Sequence, residues 1–262
     1  MKKKLTTSWG KVADWYSGVV EDKNSYQQKV ILPNLLRLMQ IKKDERILDI
    51  GCGTGFFSRA LAAAGADVVG VDVGKKLIEK AKEGVRDWEA VVKKSERPEF
   101  LIANADNLFM IHNTTVDKAV MVLSLQNIEN VSGAIAEAAR VLKKSGALFM
   151  VLNHPAFRIP QASSWGWDDK NKLQYRRLDA YVSERRVPIQ MHPGSNPGEV
   201  TWSFHRPLQV YFKLFYKNHL AITRLEEWIS HTKTPHGPRA KAENLARAEF
   251  PLFLVLEAKP LS

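Results

Sequence analysis

Residues 46–55, with the sequence RILDIGCGTG, constrain the fold of this chain more than any other stretch. The stretch begins with a continuous apolar run, which is typical of a parallel strand that is buried on both faces. Three glycines follow at alternating positions, where a tight turn can bring the backbone close to a ligand that a Cβ would obstruct. The apolar spacing of residues 56–64 then predicts a helix. Strand, glycine turn and helix together predict half of a nucleotide-binding βαβ unit.

An acidic residue stands at the tip of the next predicted strand. Residues 67–72 form a short, valine-rich run that ends in Asp72. An acid roughly 20 residues past such a glycine turn can accept hydrogen bonds from both hydroxyls of a ribose. The pattern therefore predicts a cofactor that contains a nucleoside, without yet saying which one.

The glycine turn resembles motif I of class I S-adenosylmethionine (SAM)-dependent methyltransferases. Residues 48–55, LDIGCGTG, carry this resemblance, and Asp72 stands at the position of the ribose-binding acid of that family. Because residue 56 is Phe, the third glycine of the GxGxxG dinucleotide fingerprint is missing, which disfavours NAD. The resemblance implies SAM as the cofactor and S-adenosyl-L-homocysteine as its product. The alternative is a nucleotide-binding or cofactor-dead domain of similar fold.

The resemblance also implies a fold and a domain organisation. We expect an α/β, Rossmann-like class I methyltransferase sheet of seven strands, mostly parallel with an antiparallel last strand, and with helices on both faces. Residues 1–262 would form one domain, with an N-terminal helical cap over 1–43 and a substrate lid inserted over 155–205, after strand five. The turn residues at 192–198 (HPGSNPG) separate two loosely alternating segments, which predicts a β-hairpin in the lid.

The expected cofactor site lies at the carboxyl ends of the first four strands. Asp106 follows the third predicted strand, where the resemblance implies a contact with the adenine amino group; an exposed turn acid is the alternative. The complete set expected to bind the cofactor is Asp49, Gly51, Gly53, Gly55, Asp72, Val73, Asp106, Asn107 and Ser124.

Two histidines are the candidates for catalysis. His154 follows the fifth predicted strand, at the edge of an open α/β sheet where ligands bind, and an imidazole can take a proton near neutral pH. A histidine that only hydrogen-bonds a loop is the equal alternative. The sequences NHPAF at 153–157 and FHRPL at 204–208 resemble a broad "type 11" group of methyltransferases with no common substrate. This second resemblance makes His205 the other candidate.

Aromatic and amide side chains are the candidates for binding the acceptor. We expect this set to include Tyr16, Gln126, Asn127, Trp167 and Tyr181. Aromatic residues, together with the paired acids Asp168 and Asp169 and the paired arginines Arg176 and Arg177, suit a pocket for a flat or apolar substrate with one polar handle. The alternative is that the N-terminal aromatics only pack a helix onto the sheet and that those after strand five form a small core within the lid.

The charge and cysteine content limit the remaining classes of partner. The formal charge of +11 would suit a nucleic acid, but the lysine pairs are scattered along the chain, which favours solvated surfaces. Cys52 is the only cysteine, which excludes an internal disulfide and a cysteine-rich metal site, and we expect no metal. No apolar run approaches the ~18–20 residues that span a bilayer, so a cytoplasmic location is expected. The oligomeric state is left open.

The sequence therefore predicts an enzyme that moves the methyl group of SAM to an oxygen, nitrogen or carbon nucleophile of a small molecule by in-line displacement. Two alternatives stay open. The charge would also suit an RNA methyltransferase, and the same cofactor site would serve a non-catalytic SAM-binding regulatory protein.

Overall fold

The computed structural model describes residues 8–86, 97–190 and 200–261. The predicted turn at 192–198 lies outside the described residues. The strands are β1 (Arg46–Ile50), β2 (Asp67–Asp72), β3 (Glu99–Ile102), β4 (Val116–Val122), β5 (Leu142–Asn153), β6 (Ser163–Asp168), β7 (Leu173–Leu178), β8 (Arg185–Gln190), β9 (Val200–His205), β10 (Leu220–Trp228) and β11 (Phe253–Pro260). The α-helices are α1 (Ala13–Glu21), α2 (Leu32–Met39), α3 (Phe56–Ala63), α4 (Lys75–Arg86), α5 (Val131–Val141), α6 (Leu208–Lys217) and α7 (Ala240–Glu249).

Seven of these strands form one sheet in the order β10-β11-β5-β4-β1-β2-β3. The pairs β1–β2, β1–β4, β2–β3 and β4–β5 are parallel, whereas β11 is antiparallel to both of its neighbours, β5 and β10. The predicted seven-stranded, mostly parallel sheet with an antiparallel last strand is confirmed. Since β1, β2, β4 and β5 run in the same direction, their carboxyl ends meet at one edge of the sheet.

Apolar side chains cover both faces of the sheet, as the continuous apolar runs predict. Leu48 and Ile50 of β1 belong to the same core cluster as Ile135 of α5. On the opposite face, Ile47 belongs to a cluster with Leu35 of α2. Full burial of one such side chain contributes about 1.5–3 kcal/mol. The two clusters hold the central strands rigidly, and with them the turn that follows β1.

Two elements have irregular geometry. Within the N-terminal cap, a π-helical turn (Gln27–Ile31) precedes α2. Pro33 stands in the first turn of α2 and has no N–H for the ladder, which favours this change of geometry there. Strand β5 begins at Leu142, which already pairs with Val116 of β4, so the polar residues 143–146 belong to the strand.

The segment after β5 forms two antiparallel hairpins. Strand β6 pairs with β7, where Ser163 lies opposite Leu178. Strand β8 pairs with β9, where Arg185 lies opposite His205. Helix α6 then returns the chain to the sheet. In the part of the chain that the structure describes, no helix combines the length and apolar character needed to cross a bilayer.

Candidate functional site

A cavity of about 570 Å³ lies at the carboxyl edge of the sheet. One part of its wall comes from the turn after β1 and from the ends of β2, β3 and β4. The other part comes from the chain after β5 and from both hairpins, with Trp9, Tyr16 and Gln27 contributed by the N-terminal segment. The glycine turn and the inserted hairpins therefore share one cavity.

The first two glycines of the turn have no room for a side chain. Gly51 has φ +76°, its N–H donates to the Val71 carbonyl at 2.7 Å, and a Cβ there would lie 2.5 Å from the Cβ of Ser124. Gly53 has φ +57°, and its Cβ would lie 3.2 Å from Cε1 of Tyr16. Both glycines line the cavity, so a ligand can approach their backbone directly.

The third glycine of the turn, Gly55, does not line the cavity, so its expected role in binding the cofactor stays a prediction. This residue has φ +77°, and a Cβ would lie 2.5 Å from Cζ of Phe100 on β3. Gly55 therefore allows α3 to start and the turn to pack closely against the sheet. Its sequence position among the cavity glycines could not distinguish packing from ligand contact.

Asp72 places its carboxylate in the cavity wall at the tip of β2. One oxygen, Oδ1, accepts a hydrogen bond from the Gly74 N–H at 2.7 Å, and Oδ2 accepts one from the Gly53 N–H at 3.1 Å. Burial raises the pKa of Asp72, while these backbone hydrogen bonds oppose the rise. Each oxygen keeps a free lone pair, so the group can still accept from a pair of hydroxyls. Val73, which follows it, also lines the cavity.

Asp49 lies beneath the turn rather than in the cavity wall, so its expected contact with the cofactor stays a prediction. Its side chain is 1% exposed, and Oδ2 accepts a hydrogen bond from the Ser58 hydroxyl at 2.6 Å. Burial, helped by the nearby charge of Asp72 and opposed by the hydrogen bond from Ser58, raises the pKa of Asp49 to about 7. Asp49 can therefore influence the charge of the site but not touch a ligand in the cavity.

At the end of β3, the cavity wall contains Asn104 and Ala105 instead of Asp106 and Asn107. The Oδ2 of Asp106 accepts a hydrogen bond from the side-chain amide of Asn130 at 2.8 Å, which ties it to the start of α5. The Asn107 N–H donates to the Asn104 carbonyl at 2.9 Å in a tight turn. The adenine contact expected for Asp106 stays a prediction, since its carboxylate is engaged with Asn130 and does not line the cavity.

The chain after β4 lines the middle of the cavity. Ser124 donates its hydroxyl to the Ile50 carbonyl at 2.8 Å, and the Asn127 amide donates to the Leu123 carbonyl at 3.1 Å. Oxygen Oε1 of Gln126 is buried and finds no hydrogen-bond partner among the described residues. A buried acceptor left unpaired costs about 1–3 kcal/mol, so this amide is suited to receive a donor from a ligand. Ser124, Gln126 and Asn127 all line the cavity, as expected.

His154 does not reach the cavity wall, although it follows β5 at the expected edge. Its ring is 2% exposed, and Nδ1 accepts from the Ala156 and Phe157 N–H groups at 3.2 and 3.3 Å. Since Nδ1 is an acceptor, Nε2 carries the proton and donates to Glu227 at 2.7 Å. Burial lowers the pKa of His154, and Glu227 opposes this effect. The geometry favours the alternative of a histidine that hydrogen-bonds a loop.

The other expected acceptor-side residues of the insertion also lie outside the cavity wall. His205 is 5% exposed, and its Nε2 lies 2.7 Å from the Tyr181 carbonyl. The Tyr181 hydroxyl accepts a hydrogen bond from the Leu208 N–H at 3.0 Å. The guanidinium of Arg239 lies 4.5 Å above the ring of Trp167. These contacts connect the hairpins with α6 and with the loop before α7. The expected contacts of His205, Tyr181 and Trp167 with a substrate stay predictions.

Tyr16 does line the cavity, in an edge-on contact with Trp9 whose ring centroid is 5.3 Å away. Burial raises the pKa of Tyr16 strongly, and the charges of Asp72 and Asp49 add to the rise, so the hydroxyl stays protonated. Several polar cavity residues were not anticipated as ligand contacts. They are Gln27, Asn104, Asn153, Arg158, Gln161, Ser163, Thr201 and Ser203. Arg176, one of the paired arginines expected in the acceptor pocket, also lines the cavity. The described residues contain no group of three or more His, Cys, Asp or Glu that could hold a metal ion.

The sheet order, the glycine turn and the acid at the tip of β2 together define the fold of the class I methyltransferases. Residues 48–150 match the family model described as a methyltransferase domain. The crystal structure of a S-adenosylmethionine dependent methyltransferase from Mesorhizobium loti shares the fold, with a TM-score of 0.62 and 23% identity over 86% of this chain and 95% of that one.

Two relatives are similar in sequence over part of the chain. A demethylmenaquinone methyltransferase from Tropheryma whipplei is 29% identical over 120 residues, which are 45% of this chain and 46% of the relative. A ubiquinone biosynthesis O-methyltransferase from Photobacterium profundum is 29% identical over 105 residues, which are 40% of this chain and 42% of the relative. The similarity thus spans less than half the length of these relatives.

Proposed function

We propose that this protein transfers the methyl group of SAM to a small-molecule acceptor by in-line displacement. The observation that carries the proposal is the shared cavity, in which the glycine turn and Asp72 face the same space as the inserted hairpins. One part of such a cavity can hold a nucleoside cofactor while the other part holds the acceptor. The two relatives named for quinone methylation favour a small molecule over a macromolecule as the acceptor.

The cavity residues fit SAM. Gly51 and Gly53 present backbone to the cavity, and Asp72 keeps free lone pairs for the two ribose hydroxyls. Asn104 and Ala105 would border the base, since they follow the strand next to Asp72. When bound, SAM supplies a methyl group on a positively charged sulfur, which an acceptor lone pair can displace to leave S-adenosyl-L-homocysteine.

The residues of the chain contribute alignment and exclusion of water. Tyr16 and Gln27 from the N-terminal segment and Ile189 and Ser203 from the second hairpin line the same cavity, which supports the proposed cap over 1–43 and lid over 155–205 of a single domain. Holding the nucleophile in line with the transferred group is the main source of rate in such a reaction.

No histidine, lysine, glutamate or cysteine lines the cavity in the described part of the chain. The protonated Tyr16 can donate a hydrogen bond but cannot accept a proton near neutral pH. We therefore propose an acceptor atom that has a free lone pair when it binds, or that loses its proton to water, so that no general base is required.

Calorimetry of SAM binding tests the cofactor site. Asp72→Asn removes the charge and one acceptor while keeping the shape, so we expect at least about a tenfold weaker Kd, or about 1.4 kcal/mol. Asp67→Asn, at the exposed start of the same strand, is the matched control and should leave Kd unchanged. Equal affinity of the Asp72→Asn and parent proteins would refute the proposed site.

The remaining alternatives differ in what they predict for the same protein. An RNA methyltransferase would bind RNA with an affinity that falls steeply with salt, as its formal charge of +11 suggests. A regulatory protein would bind SAM tightly without turnover. A cytoplasmic location is also part of the proposal, and fractionation of cells that express the protein would test it.

A further inference from the structure

The acceptor part of the cavity carries two guanidinium groups. Arg158 follows β5, Arg176 belongs to β7, and both line the cavity. The only other charged residue in the described cavity wall is Asp72. In the sheet order β2 and β5 are three strands apart, which corresponds to roughly 14 Å. The cavity is thus acidic near the proposed ribose site and basic where the acceptor would bind.

Arg176 is held in a defined orientation. Its Nε donates to the Phe157 carbonyl at 2.7 Å, and one terminal nitrogen donates to the Ser163 hydroxyl at 2.7 Å. The guanidinium also lies 5.1 Å above the ring of Trp165. A guanidinium has five N–H donors, so these contacts leave several unused. The group is oriented by the hairpin and still able to bind a ligand.

Arg158 has still more unused donors. One terminal nitrogen donates to the Asn153 side-chain oxygen at 2.8 Å, and the group lies 5.5 Å from the ring centroid of Phe253. Burial lowers the pKa of Arg158, and the positive charge of Arg176 lowers it further. In the described part of the chain, no carboxylate forms an ion pair with either guanidinium. Two like charges therefore stand near each other without a compensating anion.

Two other arginines of this chain have a carboxylate nearby. Arg140 forms a two-point ion pair with Glu137 and also donates to backbone carbonyls. Arg206 is 4% exposed, donates to the carbonyls of Ile128 and Glu129 at 2.9 and 2.8 Å, and lies 3.7 Å from the Glu184 carboxylate. The acceptors of Arg158 and Arg176, in contrast, are neutral oxygens of the described residues.

We propose that Arg158 and Arg176 bind an anionic group of the methyl acceptor, a carboxylate or another oxyanion. This inference rests on the proposed function and specifies the class of its substrate. A planar guanidinium pairs with an oxyanion through two parallel N–H donors, which fixes orientation as well as affinity. An oxyanion would also supply the charge that the two arginines lack, whereas a neutral acceptor would leave both uncompensated.

Charge-based fractionation of the acceptor pool tests the inference. The small-molecule fraction of a cell extract is passed over an anion exchanger at neutral pH, and each pool is incubated with the protein and methyl-labelled SAM. We expect the label to enter compounds of the retained, anionic pool. Label only in the flow-through would overturn the inference while supporting methyl transfer. Absence of label from both pools would overturn the proposed function itself, and this inference with it.

Substitutions then test the two arginines directly. Arg158→Gln and Arg176→Gln should each raise the apparent KM for the retained pool at least tenfold and leave the Kd for SAM within twofold. Arg176→Lys, which keeps the charge, should show a smaller rise in KM than Arg176→Gln. Arg177→Gln is the matched control, because Arg177 lies on the same strand, is exposed and pairs with Asp179 at 2.6 Å.

Two outcomes with these variants would overturn the inference. An unchanged KM in both glutamine variants would mean that the guanidiniums do not contact the acceptor. A large loss of SAM affinity with an unchanged KM would mean that they bind the carboxylate of the cofactor instead.

Discussion

Asp49→Asn should change the pH dependence of stability in a defined direction. Asp49 is 1% exposed and accepts a hydrogen bond from Ser58 at 2.6 Å, and burial raises its pKa from 3.8 to about 7. Between pH 3.8 and about pH 7, the Asp49 carboxyl is protonated in the folded protein and ionised in the unfolded chain. The stability that this protonated carboxyl contributes is complete below pH 3.8 and is lost as the pH rises through about 7.

The expected magnitude follows from the size of the pKa shift. At pH 5 the carboxyl is protonated in the folded state and mostly ionised in the unfolded chain, whereas at pH 8 it is ionised in both. The linkage relation then gives a loss of about 2.5 kcal/mol between pH 5 and pH 8. Asparagine has nearly the same shape and does not titrate. The free energy of unfolding of Asp49→Asn relative to the parent protein should therefore increase by about 2.5 kcal/mol over this range.

Urea denaturation of both proteins at pH 5, 6.5 and 8 measures this difference. Asp117→Asn is the control, because hydrogen bonds from Lys143 and from the Arg46 N–H outweigh burial and lower the pKa of Asp117 below its ordinary value. That carboxyl is ionised in both states throughout the range, so its substitution should give a constant difference. Parallel pH curves for Asp49→Asn and the parent protein would refute the argument that Asp49 is buried with a raised pKa.

Two further variants test the turn and the histidine. Gly51→Ala should lower the free energy of unfolding by at least about 2 kcal/mol, since the residue has φ +76° and the new Cβ would lie 2.5 Å from that of Ser124. Gly18→Ala is the control, because a Cβ at this position of α1 meets nothing within 4 Å. This control should raise the free energy of unfolding by about 0.5–1 kcal/mol. Thermal or urea denaturation measures both, and an unaffected Gly51→Ala protein would contradict the close packing of the turn. His154→Gln should cost about 1–3 kcal/mol of stability through the lost hydrogen bond to Glu227. The pH profile of kcat/KM for His154→Gln should match that of the parent protein. Loss of one limb of this profile would instead indicate that the imidazole has a catalytic role.

The central strands and the glycine turn were predictable because both leave local signals. Strand β2 has the predicted bounds, Asp67–Asp72, since burial on both faces requires a continuous apolar run. The start of β5 was not predictable, because residues 143–146 are polar and join the strand only through pairing with β4. Local composition thus identifies buried strands, whereas a polar end of a strand joins the sheet only through its pairing with the neighbouring strand.

The candidate site was predictable only where backbone geometry decides the direction of a side chain. Asp72 ends a strand beside the glycine turn, and its carboxylate is oriented by one N–H group of that turn, from Gly53, and by the N–H group of Gly74 that follows β2. His154 has a comparable position at the end of β5, yet its ring turns toward Glu227. Nothing in the local sequence distinguishes these two outcomes, because the partner of His154 lies on β10, 73 residues away in sequence.

The position of Arg176 in the cavity was still less predictable from the sequence, because it depends on tertiary structure. Arg176 enters the cavity because β7 pairs with β6 in a hairpin and because Phe157 and Ser163 supply acceptors for its guanidinium. The neighbouring Arg177 points outward and pairs with Asp179. Alternation along a strand predicts that two such neighbours face opposite sides, but it does not say which one faces the cavity.

Transfer of label from methyl-labelled SAM tests the central claim most directly. The pure protein is incubated with labelled SAM in a cell extract, which is then separated into small-molecule, protein and RNA fractions. The account predicts label in the small-molecule fraction and a lower initial rate for Asp72→Asn than for Asp67→Asn. Label that follows RNA and disappears with ribonuclease, or tight binding of SAM with no label in any fraction, would contradict it.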